Sequence, residues 1–209
     1  MKKILPRHPI TCYFRNMDFD ALREIVLARR SIKPALMNGQ KIEDTMIHRL
    51  LELADWAPTH GHTEPWRFVI FARDAVRQFC ADHAALYKAF VDPAKFETAK
   101  YEKQLHNGDL ASHIIAVYMK RGSNPKISAT EELCATAAAV ENILLGAAAL
   151  GLAVLWSTGG VTLQEPMKEY LSLQPDDRVV GLLYVGYSNE VPKTGTRVVP
   201  LAAKATWRG

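Results

Sequence analysis

Three short stretches of this chain bring together side chains that do chemistry. Arg29, Arg30 and Ser31 place two guanidinium groups and a hydroxyl within three residues, a donor set that holds a phosphate or a similar anion. By itself the triplet also reads as a solvated helix end whose arginines complement the helix dipole. Further on, Thr59-His60-Gly61-His62-Thr63-Glu64 is bracketed by Pro58 and Pro65. The prolines restrict the backbone on both sides, so this is a rigid polar loop suited to ligand contact. His60 and His62 lack a neighbouring cysteine or carboxylate pattern, and no metal site is expected. Either histidine can supply a proton, although His62 reads equally as a surface residue making one hydrogen bond. The third stretch, Val154-Leu155-Trp156-Ser157-Thr158-Gly159-Gly160, leaves an apolar run and enters a turn. Its glycines let backbone approach a flat ligand closely, though alone it also fits an ordinary strand-ending turn.

The elements that must position these residues are legible from capping and periodicity. Asp18 caps a first helix whose Ala21, Leu22, Ile25 and Val26 share one face, and Pro34 stops it after the Arg-Arg-Ser triplet. A second helix spans Ile42 to Ala54, ends before Pro58 and leads directly into the His60 loop. Short apolar runs predict strands at Arg67 to Phe71, His113 to Met119, Val154 to Trp156 and Val179 to Tyr187. Helices are expected over Asp74 to Leu86 and Ala94 to Gln104. The most regular helix starts at the capping box Ser128-Ala129-Thr130-Glu131 and runs to Gly151, long enough at roughly 30 Å to cross a small domain. Its alanines and Gly146 permit close approach of another helix.

Composition narrows the class. At 209 residues, 48% hydrophobic and 23% charged, the chain suits one domain, residues 1–209, with a sizeable core. The net charge of +4 is scattered rather than gathered in a basic run, so nucleic acid is not an expected partner. The start, Met1 to Pro9, lacks the apolar stretch of a secretory signal, and the longest apolar run, Ile143 to Trp156, is short for a bilayer. A cytoplasmic protein without a membrane partner is expected. Cys12, Cys80 and Cys134 are odd in number and far apart, which predicts free thiols. There is no Ser-His-Asp ordering, Walker loop or Gly-x-Gly-x-x-Gly turn to anchor a hydrolase, NTPase or Rossmann reading.

Arg29-Arg30-Ser31, the loop closing on Glu64-Pro65-Trp66-Arg67, Leu150-Gly151-Leu152, Trp156-Ser157-Thr158-Gly159 and Val185-Gly186-Tyr187 follow one another in an order that resembles the FMN-dependent nitroreductase family, in its short single-domain bacterial form. The resemblance covers nearly the whole chain. It implies an α+β fold with a central, mostly antiparallel sheet flanked by helices, and a homodimer with FMN at the subunit interface. It implies a ping-pong reaction in which NAD(P)H gives hydride to the flavin and a nitroaromatic or quinone acceptor then takes it. Carried over residue by residue, Arg29 and Ser31 would hold the phosphate and ribityl end, with Arg30 adding donors. His60 and Glu64 would reach the flavin from the second subunit, and Ser157, Thr158 and Gly159 would line the ring near N5. Arg197, or else Lys193, would reach the phosphate, and Lys33 would place charge near N1. Glu64 departs from the family's usual Gln; a carboxylate can accept a hydrogen bond from the ring but not donate one. Other flavin chemistry on the same fold, such as dehalogenation or dehydrogenation, and a non-catalytic flavin-binding module are the alternatives.

Overall fold

The structure, a computed structural model, describes residues 18–191 and 193–209; Cys12 and the basic start lie outside the described residues. Four strands, β1 (Trp66–Ala72), β2 (His113–Met119), β3 (Ala153–Ser157) and β4 (Arg178–Gly186), form one sheet in the order β1-β2-β4-β3. All three neighbouring pairs are antiparallel. Side chains alternate across the sheet, so β2 sends Ile115, Val117 and Met119 to one face and Ile114 and Ala116 to the other. Both faces are covered by helices, which explains why β2 reads as an almost unbroken apolar run.

On the first face lie α2 (Asp44–Asp55) and α5 (Ala129–Ala149). α2 buries Ile47, Leu50 and Ala54, and α5 buries Ala135, Ala139, Val140, Ile143 and Ala147. The second face carries α3 (Asp74–Phe90), which buries Val76, Phe79 and Cys80, and the short α6 (Glu165–Tyr170), which buries Met167. α4 (Thr98–His106) packs beside α3. The α5 capping box is formed: Ser128 Oγ accepts from the Glu131 N–H at 3.2 Å, and Glu131 Oε2 accepts from the Ser128 N–H at 2.8 Å. Its 21 residues make α5 long and apolar enough to cross a membrane by length and composition, yet it is the core helix of this fold.

Several boundaries differ from the sequence expectation. α2 begins at Asp44 rather than at Ile42, whose N–H donates to Ser112 Oγ at 2.8 Å ahead of the helix. The helix expected from Ala94 resolves into a single turn at Pro93–Lys95 followed by α4, while α3 continues to Phe90. α6 has no counterpart in the sequence expectation; its local signals are Glu165 and Pro166 in the first turn.

Asp18 caps α1 (Phe19–Ala28), accepting from the Asp20 N–H at 2.9 Å. α1 ends at Ala28, so the Arg-Arg-Ser triplet is not helical but extended. There Ser31 makes a parallel bridge to Val154, and the Ile32 N–H donates to the Val154 carbonyl at 3.0 Å. β3 is thus an edge strand whose first residues are covered by this short crossing.

Candidate functional site

The arginine triplet and the Ser157 turn sit at opposite ends of β3. Ser31 adjoins Val154 at its start, and Ser157 closes it. Three residues of extended chain separate them, about 10 Å. A cleft of about 180 Å³ opens beside the triplet, lined among others by Arg29, Arg30, Leu152 and Val154. The two arginines have different fates. The Arg29 guanidinium is partly exposed, and among the described residues its only ion pair is with Glu141 at a long 3.9 Å. Arg30 is committed inside the chain: Nε donates to the Lys193 carbonyl at 2.8 Å and Nη1 to the Leu27 and Arg29 carbonyls at 2.7 Å. Arg30 therefore straps the C-terminal segment onto the end of α1. That segment passes over the triplet through Lys193, whereas the Arg197 side chain is exposed and its Nη1 donates to the neighbouring Thr196 carbonyl. Lys33 is exposed at the start of the Pro34–Leu36 turn.

At the other end of β3, Ser157 is half-buried, and Thr158, Gly159 and Gly160 are exposed. Gly160 has φ of 65°, and a Cβ there would meet Gln104 Oε1 at 2.3 Å. Only glycine satisfies both constraints. Beneath the turn, Trp156 Nε1 donates to the Val180 carbonyl at 3.1 Å.

The His60 loop is a strained turn. Gly61, His62 and Glu64 have φ of 61°, 53° and 42°, and two non-glycine residues in the left-handed region so close together point to a functional segment. His60 Nδ1 lies 2.7 Å from Glu131 Oε1, tying the loop to the first turn of α5. The Ser128 N–H and then His60 hold the Glu131 carboxyl down to about 2. Glu64 is exposed; its N–H donates to Thr59 Oγ1 at 3.2 Å, and its carbonyl accepts from Arg67 Nη1 at 2.7 Å. Its carboxylate makes no hydrogen bond among the described residues.

Within one chain the predicted site residues therefore form two groups. The His60 loop runs into β1, one edge of the sheet, and the Ser157 turn leaves β3, the other. The edges stand about 14 Å apart across the sheet at ordinary strand spacing.

Some polar groups near the site carried no sequence signal. His83 and Gln104 are buried behind the Ser157 turn, and Thr162 is fully buried beside them. On the far edge, buried His113 bonds Ser112 Oγ at 3.0 Å and Asp44 Oδ1 at 3.1 Å, and Asp44 also accepts from Arg73 at 2.8 Å. Ser112 is 1% exposed and already accepts the Ile42 N–H, so this chain of polar groups ties α2 to the sheet rather than presenting a nucleophile. These partners are distant in sequence, and only the fold brings them together.

A model of the Nitroreductase family matches residues 26–187, more than three quarters of the chain. The protein called "Putative NAD(P)H nitroreductase YfhC", from Bacillus subtilis (strain 168), is 25% identical over 181 residues, which are 84% of this chain and 89% of that protein. Among solved structures, the Nitroreductase-like family protein from Bacillus cereus superposes with a TM-score of 0.78 at 24% identity, covering 92% of this chain and 98% of that one. A variant of the FMN and NADPH-dependent nitroreductase NfnB from sphigopyxis sp. strain HMH superposes with a TM-score of 0.69 at 15% identity, covering 90% and 99%.

Proposed function

Because the chain belongs to the nitroreductase family, we propose that it is an oxidoreductase using FMN and NAD(P)H, with a nitroaromatic or quinone as the electron acceptor. FMN supplies two-electron transfer between the nicotinamide and the acceptor. The chain's own residues bind, orient and tune. The observation that carries the reading is the placement of an anion-binding triplet and a glycine turn at the two ends of edge strand β3. That spacing suits a ligand with an anionic tail and a flat ring.

The donor chemistry fits FMN. Arg29 offers a guanidinium with no hydrogen bond among the described residues, and Ser31 an exposed hydroxyl, to a phosphate carrying nearly two charges. Arg30 contributes by holding the C-terminal segment in place and keeping positive charge nearby. At the other end, exposed Thr158 and Gly159 bring backbone to the ring without bulky side chains. Arg29→Ala should weaken FMN binding roughly 10- to 100-fold, as expected for losing charge-assisted hydrogen bonds, while Arg29→Lys retains part of the affinity.

The separation of the His60 loop from the Ser157 turn supports a homodimer in which each FMN is completed by the second copy's loop. An apolar surface supports it too. α1 buries none of its residues, leaving Phe19, Leu22 and Leu27 exposed, and Trp56 is 87% exposed beside a groove of about 310 Å³ that includes Leu22, Ile25, Leu53 and Leu145. A continuous apolar patch of this kind marks an interaction surface.

The deciding experiment is the absorbance spectrum of the purified protein before and after anaerobic NADPH, followed by addition of a nitroaromatic or quinone. Yellow protein that bleaches and is re-coloured by the acceptor is expected. Protein that is colourless and takes up no FMN on reconstitution overturns the reading.

A further inference from the structure

Behind the Ser157–Gly160 turn lies a buried polar cluster. His83 of α3 is 2% exposed, Thr162 is 0% and Gln104 of α4 is 6%. The Thr162 hydroxyl donates to the Gly159 carbonyl at 2.6 Å and stands 3.5 Å from His83 Nε2. With its only hydrogen committed to Gly159, the hydroxyl must accept from the ring, which makes His83 the Nε2–H tautomer. His83 Nδ1 is then a bare acceptor, and it has no partner among the described residues. Gln104 is similar: its amide donates to the Lys100 carbonyl at 3.1 Å, and its Oε1 has no partner among the described residues. Buried polar atoms without partners are rare and require an explanation. Here both belong to side chains packed against the underside of one peptide, since a Cβ on Gly160 would lie 2.3 Å from Gln104 Oε1 and 3.0 Å from His83 Nε2.

The geometry of the peptide unit gives this packing a consequence. The Gly159 carbonyl and the Gly160 N–H belong to one rigid trans plane and point in opposite directions. With the carbonyl held inward by Thr162, the Gly160 N–H is directed outward. It has no hydrogen-bond partner among the described residues.

We propose that Thr162 and His83 are positioning residues: by fixing the Gly159 carbonyl from behind, they aim the Gly160 N–H at the flavin ring as a hydrogen-bond donor. This rests on the reading of Ser157 to Gly159 as the ring-facing segment. Neither side chain touches the ring. His83 orients the hydroxyl, the hydroxyl orients the peptide, and the peptide presents the donor. Because burial holds His83 down to about 4, the ring remains neutral and the tautomer fixed at ordinary pH. Among the described residues no charged side chain bonds the Thr162 hydroxyl, and Asp82, on α3 with His83, accepts from Tyr170 Oη at 3.0 Å and from Gln78 Nε2 at 2.9 Å.

The test uses the holoenzyme reconstituted with ¹⁵N-labelled FMN and compares wild type, Thr162→Val, Thr162→Ser and His83→Phe. The flavin N5 resonance reports its hydrogen bond, and the midpoint potential and kcat/KM are measured in parallel. Thr162→Val should move the N5 resonance toward that of free FMN, shift the potential and lower kcat/KM roughly fivefold, the value of one neutral hydrogen bond. Thr162→Ser, which keeps the hydroxyl, should restore all three, and His83→Phe should reproduce the change in smaller measure. If the wild-type N5 resonance differs from free FMN but neither Thr162→Val nor His83→Phe alters it, the positioning role is wrong while the ring-facing segment stands. A wild-type resonance identical to free FMN overturns both. Should Thr162→Val fail to fold, the comparison of His83→Phe with wild type decides on the same criteria.

Discussion

A carboxylate near an electron-accepting ring opposes build-up of negative charge on that ring. Glu64 is exposed in the strained loop with no hydrogen bond to its carboxylate among the described residues, and in the proposed dimer it would exert that effect from a second copy. Glu64→Gln is expected to raise the flavin midpoint potential, measured by reductive titration; an unchanged value removes the role. Gly160 allows a sharper test, because any side chain there is strained by φ of 65° and collides with Gln104. Gly160→Ala should lower the melting temperature and weaken FMN together, whereas Gly159→Ala, where a Cβ meets only Ser157 Oγ at 3.7 Å, should leave the melting temperature nearly unchanged. His83 carries a pH signature. Its folded value of about 4 lies below the ordinary 6.5, so the unfolded chain takes up the proton first. Stability from this group is complete above about 6.5 and is lost as pH falls toward 4. His83→Phe should flatten that part of the wild-type stability curve in denaturant titrations. At this scale the sequence was informative about residue types and silent about their directions. Arg29 and Arg30 look equivalent as letters and both line the cleft, yet one guanidinium makes no hydrogen bond among the described residues and the other is consumed by three backbone carbonyls.

α5 shows what an element reveals before it folds. Its capping box joins residues three apart, so it was readable from spacing alone, and Ser128→Ala should cost about 1 kcal/mol in chemical denaturation. The second duty of Glu131 was not readable, because His60 is 71 positions away. Glu131→Ala removes the cap acceptor and the loop tether in one change, and should increase hydrogen exchange in residues 60–64 as well as in the first turn of the helix. Its carboxyl is held at about 2, below the ordinary 4.5, so the cap's contribution is present above 4.5 and fades as pH drops toward 2. The strands were legible because both faces of the sheet are apolar. α6 was not, since six residues carry too little periodicity to announce a helix.

At the scale of the whole molecule, α1 and Trp56 present an uncovered apolar surface. Burying their apolar surface against a second copy predicts a dimer by sedimentation velocity, with FMN bound in a one-to-one ratio to chains. Trp56→Asp should produce a folded monomer that holds FMN weakly, because Trp56 is 87% exposed and contributes little to the core. A variant that remains dimeric and fully flavinated would locate the interface elsewhere. The four strands and the longer helices are legible in the chain, and the antiparallel sheet follows from the resemblance; the two separate groups of site residues emerge only from the strand order, which places the His60 loop and the Ser157 turn on opposite edges. Cys134 turns this arrangement into a clock. It is exposed in a hollow of about 490 Å³ shared with His60 and Glu131, while Cys80 is buried with its thiol pushed up to about 12. In a Cys12→Ser background, maleimide would alkylate one sulfur per chain. If a second copy packs over the His60 loop as proposed, the rate of that alkylation should rise as protein is diluted and fall as flavin is added; a rate that responds to neither places the second copy elsewhere.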